Sequence, residues 1–151
     1  MNGETIAVLE TTKGTLTFRF YHEDAPVTCA RISQLITEGF YHNLTFHRVI
    51  PGFVIQGGDP LGNGTGGSGK KLPAEFNKRK HVRGTLAMAR AQDPNSADSQ
   101  FYIALAAHPH LDEQYTVFGQ LIEGDEILDT MTAGDSITSA SIRPLTPTLE
   151  A

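Results

Sequence analysis

Arg48 and Gln56, one cation and one amide, stand in the run Phe46-His47-Arg48-Val49-Ile50-Pro51-Gly52-Phe53-Val54-Ile55-Gln56-Gly57-Gly58-Asp59 on what read as two short strands around a tight turn. A guanidinium only donates hydrogen bonds, whereas an amide both donates and accepts. Strand alternation puts Arg48 on the same side as Phe46 and Ile50, and Gln56 on the same side as Val54. An arginine in that apolar setting needs a partner or an open cleft, because burying its charge unpaired costs several kcal/mol. The residues alone allow two uses: a donor aimed at a substrate, or a structural Arg–Gln hydrogen bond on a barrel wall.

Other chemistry is poorly supported. Gly64-Thr65-Gly66-Gly67-Ser68-Gly69-Lys70 fits the first seven positions of a phosphate-binding loop. Lys71 then stands where a Ser or Thr hydroxyl should bind magnesium, and Leu72-Pro73 replaces the helix that would face the phosphates. A flexible glycine loop is the expectation. His108-Pro109-His110 has no Cys/His pair at zinc-like spacing, so no metal is expected. His22, His42 and His81 fall in polar stretches and read as surface histidines. No G-x-S-x-G elbow or Cys/His nucleophile pair is present, which leaves covalent hydrolysis without support.

The elements that must position Arg48 and Gln56 are short strands. Leu16, Phe18 and Phe20 alternate on one face of Thr15–Phe20, and Ile6–Glu10 pairs with it across Lys13-Gly14. Asp24 can cap a helix that holds Pro26 in its first turn and stops at Gly39. Thr45–Ile50 and Phe53–Gly57 flank Pro51-Gly52, and Gly58–Lys71 must be loop. Further strands are expected at Thr85–Met88, Phe101–Ala104, Thr116–Leu121 and Ser139–Pro147, with a second helix over Glu123–Met131. Many short strands and two helices suggest a mainly β, closed barrel with helical lids.

The chain has 151 residues, 39% of them hydrophobic and 19% charged, which suits one domain, 1–151, that builds its own core. A net charge of −5 argues against sequence-blind nucleic-acid binding, and Lys78-Arg79-Lys80 is too short a basic run to reverse that. Cys29 is the single cysteine, which excludes an internal disulfide and reads as a small apolar residue. Met1–Glu10 lacks a signal-like pattern, and no stretch approaches the roughly 20 apolar residues of a membrane span. A cytoplasmic monomer is expected.

Three ordered blocks carry a family resemblance that extends over roughly Thr5–Met131. Phe46–Phe53 with Gln56-Gly57-Gly58-Asp59 resembles the cyclophilin signature in order and spacing. Gly84–Ala91 with Asn95 and Ser99-Gln100-Phe101-Tyr102-Ile103 is similar to that family's second segment, and Leu111-Asp112 through Val117-Phe118-Gly119 to its third. The resemblance, nearest to small bacterial-type members, implies an eight-stranded antiparallel barrel capped by two α-helices. It also implies a cofactor-free peptidyl-prolyl cis–trans isomerase acting on X-Pro bonds in peptides and folding proteins. By position, Arg48 corresponds to the catalytic arginine. Phe53, Gln56, Tyr102, Leu111 and Tyr115 correspond to pocket positions, and Val54, Ala89, Arg90, Ala91 and Gln100 to the rest of the groove.

This chain departs from the family at several of those positions. His110 stands where well-known members carry tryptophan, which implies weak cyclosporin A binding. Tyr102 replaces phenylalanine and brings a hydroxyl that wants a partner. Val54 replaces methionine, Tyr115 a histidine, and Arg31-Ile32 an Asn-Phe pair in the first helix. A proline-peptide binding module or chaperone subunit with little turnover is the alternative from another class, and a nucleotide-binding protein is the second.

Overall fold

In the computed structural model, which describes residues 5–144, the chain opens with the expected hairpin. β1 (Thr5–Thr11) pairs antiparallel with β2 (Gly14–Phe20), Ala7 opposite Phe18 and Leu9 opposite Leu16. Gly14 has φ 138°, and a Cβ there would lie 2.6 Å from the Ile127 Cδ1 atom. Beside the turn, the Asp135 carboxylate accepts hydrogen bonds from the Lys13 ammonium (2.8 Å) and the Thr12 hydroxyl (2.7 Å).

The helix α1 (Pro26–Thr37) starts at a proline, whose missing N–H costs nothing in a first turn. Cys29, Ile32, Leu35 and Ile36 form its buried stripe. The expected Asp24 cap is not made: Ala25 holds the cap position, and the Glu75 carboxylate reaches in from a distant loop. It accepts from the N–H groups of Val27 (3.0 Å) and Thr28 (2.8 Å), a negative charge where the helix dipole favours one. Asp24 instead pairs with Arg79 at 2.9 Å, and that guanidinium lies 3.9 Å from the Tyr21 ring centroid.

The remaining elements are β3 (Arg48–Ile50), β4 (Val54–Gly57), β5 (Thr85–Met88), β6 (Phe101–Ala104), a 3₁₀ turn at Pro109–Leu111, β7 (Val117–Glu123), α2 (Asp125–Leu128) and β8 (Ile137–Pro144). The second helix is therefore shorter than expected. The last strand starts earlier, and the expected stretch beyond Pro144 lies outside the described residues. All strands join one antiparallel sheet in the order β3-β4-β6-β5-β7-β2-β1-β8.

The sheet curls into an open half-barrel, which corrects the closed barrel expected from the sequence. β3 and β8 are its two edges and do not pair. The residues that would lengthen β3 bond instead to the turn before β8. Thr45 bridges Ser136, the Phe46 N–H donates to the Asp135 carbonyl (2.7 Å), and the Gly134 N–H donates to the Phe46 carbonyl (3.0 Å). The strand expected from Thr45 thus begins at Arg48.

Leu16, Phe18, Phe46, Ile55, Ile103 and Phe118, each 0% exposed, form the inner core with the stripe of α1. Each such burial stabilises by about 1.5–3 kcal/mol. Cys29 lies in this core as the apolar residue expected, and burial pushes its thiol pKa up to about 12. Alternation sends Val54, Ala87, Tyr102 and Val117 to the opposite face, where they form a second, smaller cluster. The functional candidates stand around that outer cluster. Gly58 lets β4 leave the sheet: its φ is 93°, and a Cβ would sit 2.5 Å from the Ser99 carbonyl oxygen.

Candidate active site

Arg48 and Gln56 are cross-strand partners in the β3–β4 ladder. The Arg48 Nη1 donates to Gln56 Oε1 at 3.1 Å, the only hydrogen bond of that guanidinium among the described residues. Gln56 Nε2 donates to Gln100 Oε1 at 3.0 Å, and Gln100 Nε2 to the Gly66 carbonyl at 3.0 Å. Because arginine cannot accept, this series has one direction and fixes both amide orientations. The setting of Arg48 differs from the simple alternation. Phe46 belongs to the inner core, whereas Arg48 and Ile50 are exposed, because Thr45 and Phe46 pair outside the ladder. Arg48 has both a partner and an open cleft.

The cleft has a volume of about 190 Å³. Phe53, Val54, Tyr102, Leu111 and Tyr115 supply its apolar lining, and Arg48, Gln56, Ala89 and Arg90 complete it. The Arg48 Cζ lies 5.9 Å from the Phe53 ring centroid, and Tyr102 meets Tyr115 edge-on at 5.8 Å. The guanidinium of Arg90 braces two loops, donating to the carbonyls of Gln114 (2.8 Å), Ala91 (3.0 Å) and Gln92 (3.1 Å) while stacking 4.7 Å from the Tyr115 centroid. Ala91 and Gln100 line an adjoining cavity of about 320 Å³, which shares Gln56, Ala89 and Arg90 with the first. His110 is exposed on the 3₁₀ turn, outside the lining of both.

Two histidines with no site role legible in the sequence, where His81 reads as a surface residue, support the pocket. His81 is not a surface residue. It is 1% exposed, its Nε2 stands 2.7 Å from the Tyr102 hydroxyl, and its Nδ1 stands 3.0 Å from Asp112 Oδ1. The Tyr102 hydroxyl thus has its partner. Burial lowers the His81 pKa despite Asp112, and burial raises the Tyr102 phenol far above its ordinary range. His108 is 8% exposed and donates from Nε2 to the Phe53 carbonyl at 2.8 Å, tying the 3₁₀ turn to the β4 side of the cleft. The one sequence signal for His81 is the pocket tyrosine itself, whose position gives no hint of where the partner lies.

The glycine loop does cradle an anion, and the anion is a side chain. The N–H groups of Ser68 (2.8 Å), Gly69 (3.0 Å) and Lys70 (3.1 Å), with the Ser68 hydroxyl (2.5 Å), all donate to the Asp98 carboxylate. Asp59 fills a second nest with the N–H groups of Leu61, Asn63 and Gly64. Among the described residues no group of three or more His, Cys, Asp or Glu is placed to hold a metal ion. No helix there is long and apolar enough to cross a membrane.

The outer face of this eight-stranded half-barrel thus carries an apolar pocket beside a guanidinium. The family model "Cyclophilin type peptidyl-prolyl cis-trans isomerase/CLD" matches residues 6–148, and the chain belongs to that family of isomerases. It is 50% identical over 141 residues to a peptidyl-prolyl cis-trans isomerase of Synechococcus elongatus, covering 91% of this chain and 96% of that one. A peptidyl-prolyl cis-trans isomerase of Helicobacter pylori is 43% identical over 137 residues, 88% of this chain and 83% of its own. Among solved structures, a cyclophilin type peptidyl-prolyl cis-trans isomerase of Cryptosporidium parvum superposes with a TM-score of 0.87 at 33% identity, over 95% of this chain and 99% of that one. A second structure of that protein, determined in the presence of the dipeptide Ala-Pro, gives 0.81 at 34% identity over 93% and 99%.

Proposed function

We propose that this chain accelerates rotation about X-Pro peptide bonds, with Arg48 stabilising the twisted amide over the pocket of Phe53, Tyr102 and Leu111. The observation that carries this reading is the Arg48–Gln56 hydrogen bond at the apolar cleft, which holds a donor-only group in place while its other N–H donors stay available. Rotation must break amide resonance, a barrier of roughly 18–20 kcal/mol, and takes about 10–100 s unaided. Twisting localises the lone pair on the prolyl nitrogen. A hydrogen bond from a fixed guanidinium to that nitrogen therefore strengthens on the way to the transition state, which is what lowers the barrier. The pocket holds the proline ring, and Gln56 and the backbone of Arg90 hold the flanking peptide. No nucleophile, proton transfer or cofactor enters the scheme.

The substrates in this reading are proline-containing peptides and folding proteins, handled by a monomer in the cytoplasm. The test compares isomerisation of a short X-Pro peptide by wild type and R48A, with peptide binding followed in parallel. The expected result is a kcat/KM lower by about tenfold or more in R48A, a loss of roughly 1.4 kcal/mol, with affinity changed far less. A wild type that binds without accelerating would identify a peptide-binding module instead.

A further inference from the structure

Taking the cleft as an X-Pro site, we propose that His81 is a positioning residue that turns the Tyr102 hydroxyl away from the proline, so that a tyrosine pocket still receives an apolar ring. The side chain of His81 is 0% exposed and does not line the cleft, whereas the ring of Tyr102 does. The protons can be assigned from the partners. Asp112 Oδ1 accepts the His81 backbone N–H at 2.7 Å and faces Nδ1 at 3.0 Å. A carboxylate only accepts, so Nδ1 carries the proton and Nε2 of the neutral ring is bare. The Tyr102 hydroxyl, 2.7 Å away, must therefore donate to Nε2, and its dipole is directed into the protein.

The two rings lie nearly parallel, 15° apart, with centroids 5.8 Å from each other. This is the only hydrogen bond of the Tyr102 hydroxyl among the described residues. Without Nε2 the hydroxyl loses its one protein acceptor among the described residues, on a ring that lines the cleft, and hydration of that hydroxyl would compete with an apolar ring seated there. The same histidine steadies a second wall. Its carbonyl accepts the His108 N–H at 3.0 Å, and its two bonds to Asp112 fix the residue that follows Leu111. Protonation of the ring would reverse the Tyr102 bond. The titratable groups facing His81 are Asp112, His108 and His110 on the 108–112 segment, Tyr102 on β6, and Tyr115.

The experiment measures the dissociation constant of an Ala-Pro-containing peptide and its isomerisation rate for wild type, H81Q, H81L, Y102F and H81L/Y102F. Glutamine offers an acceptor near the position of Nε2, and leucine offers none. Expected is a peptide affinity about fivefold to tenfold weaker in H81L, as for a buried hydroxyl left unpaired, with kcat changed less than about twofold. H81Q should bind like wild type, and H81L should weaken affinity far less in the Y102F background than in the wild type, the remainder being the lost Nδ1–Asp112 bond. An equal loss from H81L in both backgrounds would mean a merely structural role and overturn the proposal. Should H81L fail to fold, imidazole ¹⁵N shifts of the wild type decide: a bare Nε2 and protonated Nδ1 support the assignment, and a protonated Nε2 at neutral pH overturns it. A wild type without turnover would remove the isomerase reading and leave the affinity and ¹⁵N comparisons standing.

Discussion

Arg48 and Gln56 sit directly opposite each other on β3 and β4, with Nη1 3.1 Å from Oε1, and the orientation of every amide from there to Gly66 follows from that one contact. The guanidinium is held by a series of neutral groups. Its charge is not cancelled by any carboxylate bonded to it among the described residues, which leaves it free to act on a substrate.

The far end of that series tests its importance. Gln100→Ala removes the acceptor of Gln56 and loosens Arg48 without touching the apolar lining. The expected outcome is a kcat/KM about three- to tenfold lower, mostly in kcat, in the X-Pro isomerisation assay. An unchanged rate would show that Arg48 needs no support beyond Gln56.

Helix α1 depends on a residue almost fifty positions away. Glu75→Ala should lower stability by about 1 kcal/mol, the usual cost of a lost helix cap, and lower Tm by a few degrees. Isomerisation of the folded protein should be unaffected, because Glu75 lies outside the cleft. Urea unfolding and the peptide assay on one preparation check both halves.

Acid should weaken the fold in two stages. Burial holds the native His81 below its unfolded pKa, so the unfolded chain takes up the proton first, and stability falls as pH drops below about 6.5. The carboxylates form the second stage. The His81 N–H holds Asp112 low, and burial of Asp135 is outweighed by Lys13, Thr132 and Thr12, which carry it well below the usual carboxylate range. Their stabilisation is present above about pH 3.9 and is lost as pH falls further. Urea midpoints measured across pH should show both stages in wild type, with the first absent from H81Q.

Cyclosporin A should inhibit weakly, since His110 is exposed beside the cleft and adds neither the apolar area nor the indole N–H of a tryptophan. His110→Trp should tighten inhibition by about tenfold, equivalent to roughly 1.4 kcal/mol. Inhibition of the wild type as tight as that of tryptophan-containing family members would refute this.

What could be read from the sequence was local or periodic. Thr85–Met88 and Phe101–Ala104 are strands as expected, and Arg48 stands opposite Gln56 because one tight turn joins β3 to β4. The errors share a cause: a partner distant in the chain replaced the nearest one. Glu75 took the capping role from Asp24, the turn at Gly134–Ser136 captured Thr45 and Phe46 and left the barrel open, and Asp112 and Tyr102 drew His81 inside. None of these pairings has a signature in spacing. The glycine loop is intermediate: its capacity to wrap an anion was legible, whereas the identity of the anion, Asp98, was not.

That internal anion has a mechanical consequence. Asp98 and Gln100 lie two residues apart, and both grip the glycine loop, one through the N–H groups of Ser68–Lys70 and the other through the Gly66 carbonyl. A segment rich in glycine is thereby clamped to the stretch just before β6 and, through Gln100 and Gln56, to the guanidinium. The Gly66 carbonyl of that loop is therefore the far anchor of the amide series that holds Arg48.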